Sequence, residues 1–145
     1  MVTILLLFDL SKAFDTVPHI KLLEKLRTLN FDDTSIKWFY SNLSGRSQSV
    51  VNDQGSHSNW KNTTSGVPQG SVLGSYLFLL FMNDLPGAIK HSKILMYVDD
   101  THLYIQCHPR DLKSCIEKLS LDANFFNNWV HNNSLSINLD KTKAI

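Results

Sequence analysis

Two apolar runs of strand length meet at a pair of adjacent carboxylates, and this feature constrains the chain most. "KILMYV" (93–98) and "HLYIQ" (102–106) flank Asp99 and Asp100. Short apolar runs rich in β-branched and aromatic residues read as strands, and a brief polar break between them reads as a hairpin. Neighbouring like charges repel, and flanks of this kind imply partial burial. Such a pair persists in one of two ways. It can be a solvated two-residue turn, where Asp tolerates positive φ. Alternatively, a cation neutralises it.

The rest of the chain interleaves strands and helices. "VTILLLF" (2–8) is a continuous apolar run, as expected for a strand covered on both faces. "VPHIKLLEKLRTLN" carries Ile20, Leu23 and Leu26 at helical spacing, with Leu22 and Leu29 beside them and Pro18 at its start. "DDTSIKWFYSNLSG" is a second helix that ends before Gly45. "SQSVV" and "SHSNW" around "NDQG" predict a peripheral hairpin. "TTSGVPQGSVLG" is a loop of turn-forming residues. "VLGSYLFLLFMNDL" is apolar nearly all round and predicts a buried helix closed by Pro86-Gly87. From Pro109 to about Asn132, Leu112, Ile116, Leu119, Ala123, Phe126 and Val130 step by three or four, which predicts an amphipathic helix. "LSINLDKTKAI" alternates at Leu135, Ile137 and Leu139 and predicts a strand with one wet face. The fold class is therefore α+β: a small antiparallel sheet backed by helices on one face.

The totals narrow the function. The chain has 145 residues, enough for one domain with a real core. Its net charge is +1, so no strong basic field marks a complete nucleic-acid enzyme. Cys107 and Cys115 form no CxxC pair, and the histidines form no zinc pattern. Reduced thiols in an intracellular compartment are expected. "YLFLLFM" falls far short of the ~20 residues a membrane-spanning helix needs. The chain opens directly on a core-like strand, so a fragment of a longer protein is expected.

Asp9 ends the first strand as Asp99 ends another. If those strands are neighbours, carboxylates from distant segments converge at one end of the sheet. Such a hard-oxygen patch suits Mg²⁺, which uses few protein carboxylates and fills its shell with water and phosphate oxygens. Two such ions about 3.5–4 Å apart can clamp the attacking and leaving oxygens of a phosphoryl transfer. Taken singly, Asp9 reads as a cap or loop start, and Asp15 or Thr16 reads as a helix cap.

Four segments in order, "FDLSKAFDTVPH", "SGVPQGSVLG", "MYVDDT" and "LSINLDKTK", resemble motifs A, B, C and D of reverse transcriptases, most closely the non-LTR (LINE-type) retrotransposon kind. "SGRSQSVV" and "FLLFMNDLP" resemble that family's connecting segments, so the likeness covers essentially the whole chain. The resemblance implies a polymerase palm, a ferredoxin/RRM-like antiparallel sheet backed by helices, with a small part of the fingers. It implies RNA-directed DNA synthesis: a primer 3′-hydroxyl attacks the α-phosphate of a dNTP on an RNA template, with two Mg²⁺ ions and Mn²⁺ able to substitute. The expected partners are RNA template, DNA primer and dNTPs, without a membrane, in the nucleus or a cytoplasmic ribonucleoprotein.

Each matching position inherits a role from the resemblance. Asp9 resembles the motif A metal ligand, with the Leu10 carbonyl as a further ligand. Asp99 resembles the motif C ligand shared by both metals, and Asp100 its electrostatically needed neighbour. Phe14 resembles the aromatic that packs under the sugar and excludes a 2′-hydroxyl; read alone, it is a core aromatic. Gln69 and Gly70 resemble motif B residues, Gln69 contacting the incoming nucleotide or the template base and Gly70 the nucleotide, with Gly66 and Gly70 allowing sharp turns. Ser75 departs from the proline common there. Lys141 resembles the motif D lysine that protonates pyrophosphate, and Lys141 or Lys143 read alone is a surface lysine. Asp15 is left outside the metal site. The expected thumb and the strands preceding motif A fall outside the chain, so weak or no activity is expected of it alone. The alternatives are a catalytically dead remnant that binds nucleic acid, with Tyr97 and Tyr104 as stacking residues, or an interaction module without chemistry.

Overall fold

β1 spans Val2–Phe8, the apolar run read as a strand from the sequence. In a computed structural model describing residues 1–145, the chain continues through a single helical turn, α1 (Ala13–Thr16), then α2 (His19–Thr28) and α3 (Asp33–Leu43). The short strands β2 (Ser47–Gln48) and β3 (Lys61–Asn62) precede α4 (Val72–Met82) and a 3-10 turn at Leu85–Ala88. The hairpin β4 (Lys93–Tyr97) and β5 (Asp100–Cys107) follows, then a 3-10 turn at Pro109–Asp111, the long helix α5 (Leu112–Asn132) and β6 (Lys143–Ala144). The residues form two compact units: Met1–Ala13 with Phe81–Ile145, and Phe14–Leu80. None of the helices is long and apolar enough to cross a membrane.

The first unit holds a four-stranded sheet in the order β4-β5-β1-β6, with every neighbour antiparallel. Strands taken first, second, third and fourth along the chain thus lie 2-3-1-4, the order of the split βαβ, ferredoxin-like fold. Side chains alternate across the sheet. Ile94 and Met96 of β4 are half-buried, whereas Lys93, Leu95 and Tyr97 between them are exposed. Thr101 and Leu103 of β5 are fully buried. Phe8 packs on Phe126 of α5 with ring centroids 4.3 Å apart, which places the helix against that same face.

Three sequence expectations change in this unit. β1 is not buried on both faces: Phe8 is buried, Thr3 is exposed, and the leucines between are half-buried. The reason is that α5 packs against one face only. α5 is amphipathic, but its inward stripe is Cys115, Leu119, Asp122, Phe126, Trp129 and Val130. Ile116 is 47% exposed because Cys115 takes the place beside Cys107 at the end of β5. The final segment is not one continuous strand. Lys143 and Ala144 pair with Leu7 and Leu6, and that register would place residue 140 opposite Leu10. Ile137 bridges Leu10 instead, so three residues are looped out between the two pairings. Leu139 stands on that excursion and is exposed.

In the second unit α2 buries Leu22, Leu23 and Leu26, while Ile20 is 73% exposed. Pro18 is the extended cap residue of α2. Asp32 caps α3, accepting from the Ser35 amide at 2.9 Å and the Ser35 hydroxyl at 2.8 Å. These bonds hold the Asp32 carboxyl below its ordinary range. The expected hairpin forms: Gln48 pairs with Lys61 and Val51 bridges His57. α4 is not buried all round. Leu77 and Phe78 are buried, but Val72, Tyr76 and Leu79 are exposed. Their spacing of four and three aligns them in one stripe, a division of faces that an almost wholly apolar sequence does not mark.

Candidate active site

Asp9 stands where β1 ends, and its backbone is pinned by the C-terminal segment. The Asp9 carbonyl accepts from the Asn138 amide at 2.8 Å, and the Ser11 amide donates to the Ser136 carbonyl at 2.8 Å. Leu10 is buried and bridges Ile137. Across the sheet, Phe8 pairs with Thr101 as the last rung between β1 and β5. The same register carried one step further sets Asp9 opposite Asp100. Directly opposite residues of an antiparallel pair point to the same face.

The β4–β5 turn lies one residue earlier than the sequence reading placed it. Tyr97 pairs with Asp100, so Val98 and Asp99 are the two loop residues and Asp100 is already in β5. The left-handed residue is Val98, at φ 57°, rather than an aspartate. A β-branched residue rarely adopts that conformation, because its branched Cβ crowds the backbone. Asp99 in the turn is half-buried and Asp100 is exposed.

An open cleft of about 390 Å³ at this end of the sheet is lined by Leu7, Phe8, Asp9, Asp100, His102, Asp140, Lys141 and Lys143. Asp9 and Asp100 therefore share one cavity, whereas Asp99 precedes Asp100 in the turn and is not among the lining residues. Lys141 Nζ stands 3.8 Å from the Asp9 carboxylate. No group of three or more His, Cys, Asp or Glu side chains forms a ready-made metal cage. Mg²⁺ needs none, since one or two carboxylates with water and phosphate oxygens complete its octahedron. The carboxylates of Asp9, Asp100 and Asp140 on one cleft are thus a donor set of the right hardness, and Lys141 supplies a positive charge beside Asp9.

His102, Asp140 and Lys143 were not assigned to the site from the sequence. For His102 the signal was present: it lies two residues after Asp100 in β5, hence on the same face. Asp140 carries no such signal, because the excursion of 138–142 sets its position, and Lys143 reaches the cleft through the β6 pairing with Leu7.

The motif B residues belong to the second unit. Gly66 has φ 89°, and its N–H donates to the Val17 carbonyl at 2.8 Å. The Val67 amide donates to the Phe14 carbonyl at 2.8 Å, and the Ser65 hydroxyl to the Asp15 carbonyl at 3.0 Å. The His19 ring nitrogen lies 2.7 Å from the Gly66 carbonyl. The loop is thereby strapped to residues 14–19. Phe14 is half-buried and stacked on Phe78, with ring centroids 4.6 Å apart. Gln69 and Gly70 are exposed, and Gly70 has φ 83°. Ser71 caps α4: its hydroxyl accepts from the Gly74 amide at 2.9 Å and donates to the Pro68 carbonyl at 2.9 Å. Gly74 is a second close approach, since any β-carbon there would collide with the Pro68 carbonyl. Asp15 does not cap α2; it is exposed within α1, and α2 has no side-chain cap.

Comparison with known proteins agrees with this arrangement. The family model described as reverse transcriptase (RNA-dependent DNA polymerase) matches residues 1–145. The chain is 31% identical over 140 residues to the RNA-directed DNA polymerase from mobile element jockey of Drosophila melanogaster, covering 92% of this chain and 15% of that protein. It is 29% identical over 145 residues to the probable RNA-directed DNA polymerase from transposon X-element of the same organism, covering 97% of this chain and 15% of that protein. Among solved structures, the telomerase from Candida albicans in complex with a TWJ fragment of telomeric RNA superposes with a TM-score of 0.70 at 15% identity, covering all of this chain and 27% of that one. The corresponding Candida tropicalis telomerase gives 0.67 at 16% identity, covering 99% of this chain and 26% of that one. The sheet with its helices is accordingly a polymerase palm fold, and the chain belongs to the reverse transcriptase family, akin to the polymerases of non-LTR mobile elements.

Proposed function

We propose that this chain carries the catalytic carboxylates of an RNA-directed DNA polymerase. The observation that carries the reading is the placement of Asp9 and Asp100, from distant segments, in one cleft, with Asp99 preceding Asp100 in the turn. On this reading Asp9, Asp99 and Asp100, with the Leu10 carbonyl, hold two Mg²⁺ ions. When bound, these ions polarise the phosphate and favour the ionised primer hydroxyl. The carboxylates orient the reacting ends, and Lys141 stands ready to donate a proton to pyrophosphate as it leaves. Phe14, fixed by its stack on Phe78, presents a rigid ring against the sugar. Gln69 and Gly70 contact the incoming dNTP from an exposed turn.

The chain spans 15% of the length of the curated relatives named above. With a net charge of +1 it offers little field for holding phosphates, so little extension is expected from these residues alone. The test is primer extension on an RNA template with dNTPs, using the full-length reading frame that contains this chain. Incorporation that disappears in Asp9→Asn and Asp99→Asn supports the reading; incorporation that survives both substitutions refutes it.

A second reading has one observation in its favour. Tyr97 is 77% exposed in β4, and Lys93 stands 5.9 Å from the Tyr104 ring, so part of the sheet offers aromatic and cationic groups. Aromatic platforms of this kind bind single strands by stacking. RNA binding that persists in EDTA and weakens in Tyr97→Ala would favour this module without chemistry.

A further inference from the structure

Lys141 reaches Asp9 through a specific piece of backbone. The excursion of 138–142 between the Ile137 and Lys143 pairings, three residues longer than the facing stretch, is closed on Asn138. The Thr142 amide and hydroxyl donate to the Asn138 carbonyl at 3.1 and 2.8 Å. The Asn138 amide in turn donates to the Asp9 carbonyl at 2.8 Å. One end of the turn that carries Lys141 is thus fastened to the residue whose carboxylate its ammonium meets. The two side chains are 69% and 26% exposed, and their charged atoms are 3.8 Å apart.

We infer that Lys141 is a built-in counter-ion of Asp9 that competes with a divalent cation for the same carboxylate. Metal loading and the Lys141–Asp9 ion pair then exclude one another, and loading frees the ammonium. This inference rests on the metal-binding reading of Asp9 given above. The physical ground is direct. A hard divalent ion bonds to carboxylate oxygen at about 2.0–2.1 Å. An ammonium held within a few ångström of that oxygen repels it, and the two positive charges need the same lone pairs. Without metal, Lys141 offsets part of the repulsion between Asp9 and Asp100. With metal bound, that task passes to the cation, and the lysine is free to meet phosphate charge in the cleft. An exposed pair is weak, so the lock is soft and shifts affinity by a modest factor.

The experiment measures Mn²⁺ binding by the signal of free Mn²⁺ in electron paramagnetic resonance, at low ionic strength and without nucleotide. Wild type, Lys141→Gln, Lys141→Arg, Lys143→Gln and Asp9→Asn are compared, with folding checked by circular dichroism. Lys141→Gln is expected to bind about two- to five-fold more tightly than wild type, the factor that an exposed ion pair represents. Lys141→Arg should match wild type, and the advantage of Gln should shrink as salt screens the pair. Asp9→Asn should lose most binding. Equal affinities for wild type and Lys141→Gln, or equal gains in Lys141→Gln and Lys143→Gln, overturn the counter-ion role while leaving the metal reading intact. Absence of Mn²⁺ binding in every variant overturns both.

Discussion

Gly66 lies so close to Asp15 that a β-carbon on it would stand 2.8 Å from the Asp15 carbonyl oxygen and 2.9 Å from the atoms beside it. Its φ of 89° is also in the left-handed region. Both facts forbid a side chain, and the hydrogen bonds from Ser65, Gly66 and Val67 depend on that contact. Gly66→Ala should therefore destabilise the chain by about 2–3 kcal/mol. Gly87, with open space around it and no left-handed φ, is the control. Gly87→Ala should change stability by less than about 0.5 kcal/mol. Urea unfolding of the two variants checks this; equal stabilities would mean that the strap is not a rigid feature of the loop.

Val98 is the strained residue of the turn beside the carboxylates, at φ 57°. Asparagine tolerates that conformation far better than a β-branched side chain. Val98→Asn should raise stability by about 1 kcal/mol, read as an increase in Tm. A fall in Tm would show that Val98 contributes packing that outweighs its backbone strain.

Asp122 is a fully buried carboxylate on α5. It accepts from the amides of Lys90, His91 and Ser92 and from the Ser92 hydroxyl, at 2.7 Å for the hydroxyl. Burial pushes its carboxyl up, but the four hydrogen bonds together outweigh this and leave it below its ordinary value of 3.8. A carboxylate lowered in the folded state stabilises fully above its unfolded pKa and loses that contribution as pH falls through the folded one. Below about pH 4 the wild type should therefore lose stability that Asp122→Asn never had, and the two unfolding curves should converge. At neutral pH Asp122→Ala should cost about 3 kcal/mol, because the amides before β4 lose their acceptor. A constant difference between wild type and Asp122→Asn from pH 7 to pH 3 would contradict the assignment.

Cys107 and Cys115 are both buried and unbonded to each other by any disulfide. Burial pushes the Cys107 thiol up, and contact with Cys115 adds to this. The reactive thiolate is scarce in that setting. Folded protein should react with a thiol-specific disulfide reagent at pH 8 roughly tenfold or more slowly than urea-unfolded protein. Comparable rates in the two states would place these thiols at the surface.

Local chemistry in the sequence set the element types. The apolar runs at 2–8 and 93–97 form strands because pleated backbone suits them, and the three-to-four spacing from Leu112 to Val130 forms a helix because it lines up one stripe. The four ordered motifs were enough to indicate the reverse transcriptase family before any pairing was visible. Near neighbours do not determine which half of an almost wholly apolar helix faces inward, so Val72, Tyr76 and Leu79 surfaced against expectation. They also do not determine register. The turn fell on Val98 and Asp99 rather than on the two aspartates because Tyr97 paired with Asp100, a choice made by the whole β1–β5–β4 ladder. The meeting of Asp9, Asp100 and Lys141 in one cleft is of the same kind. It depends on where strands distant in sequence come into register and on three residues looped out between two pairings, and only the summed packing and hydrogen bonding of the folded sheet fixes those.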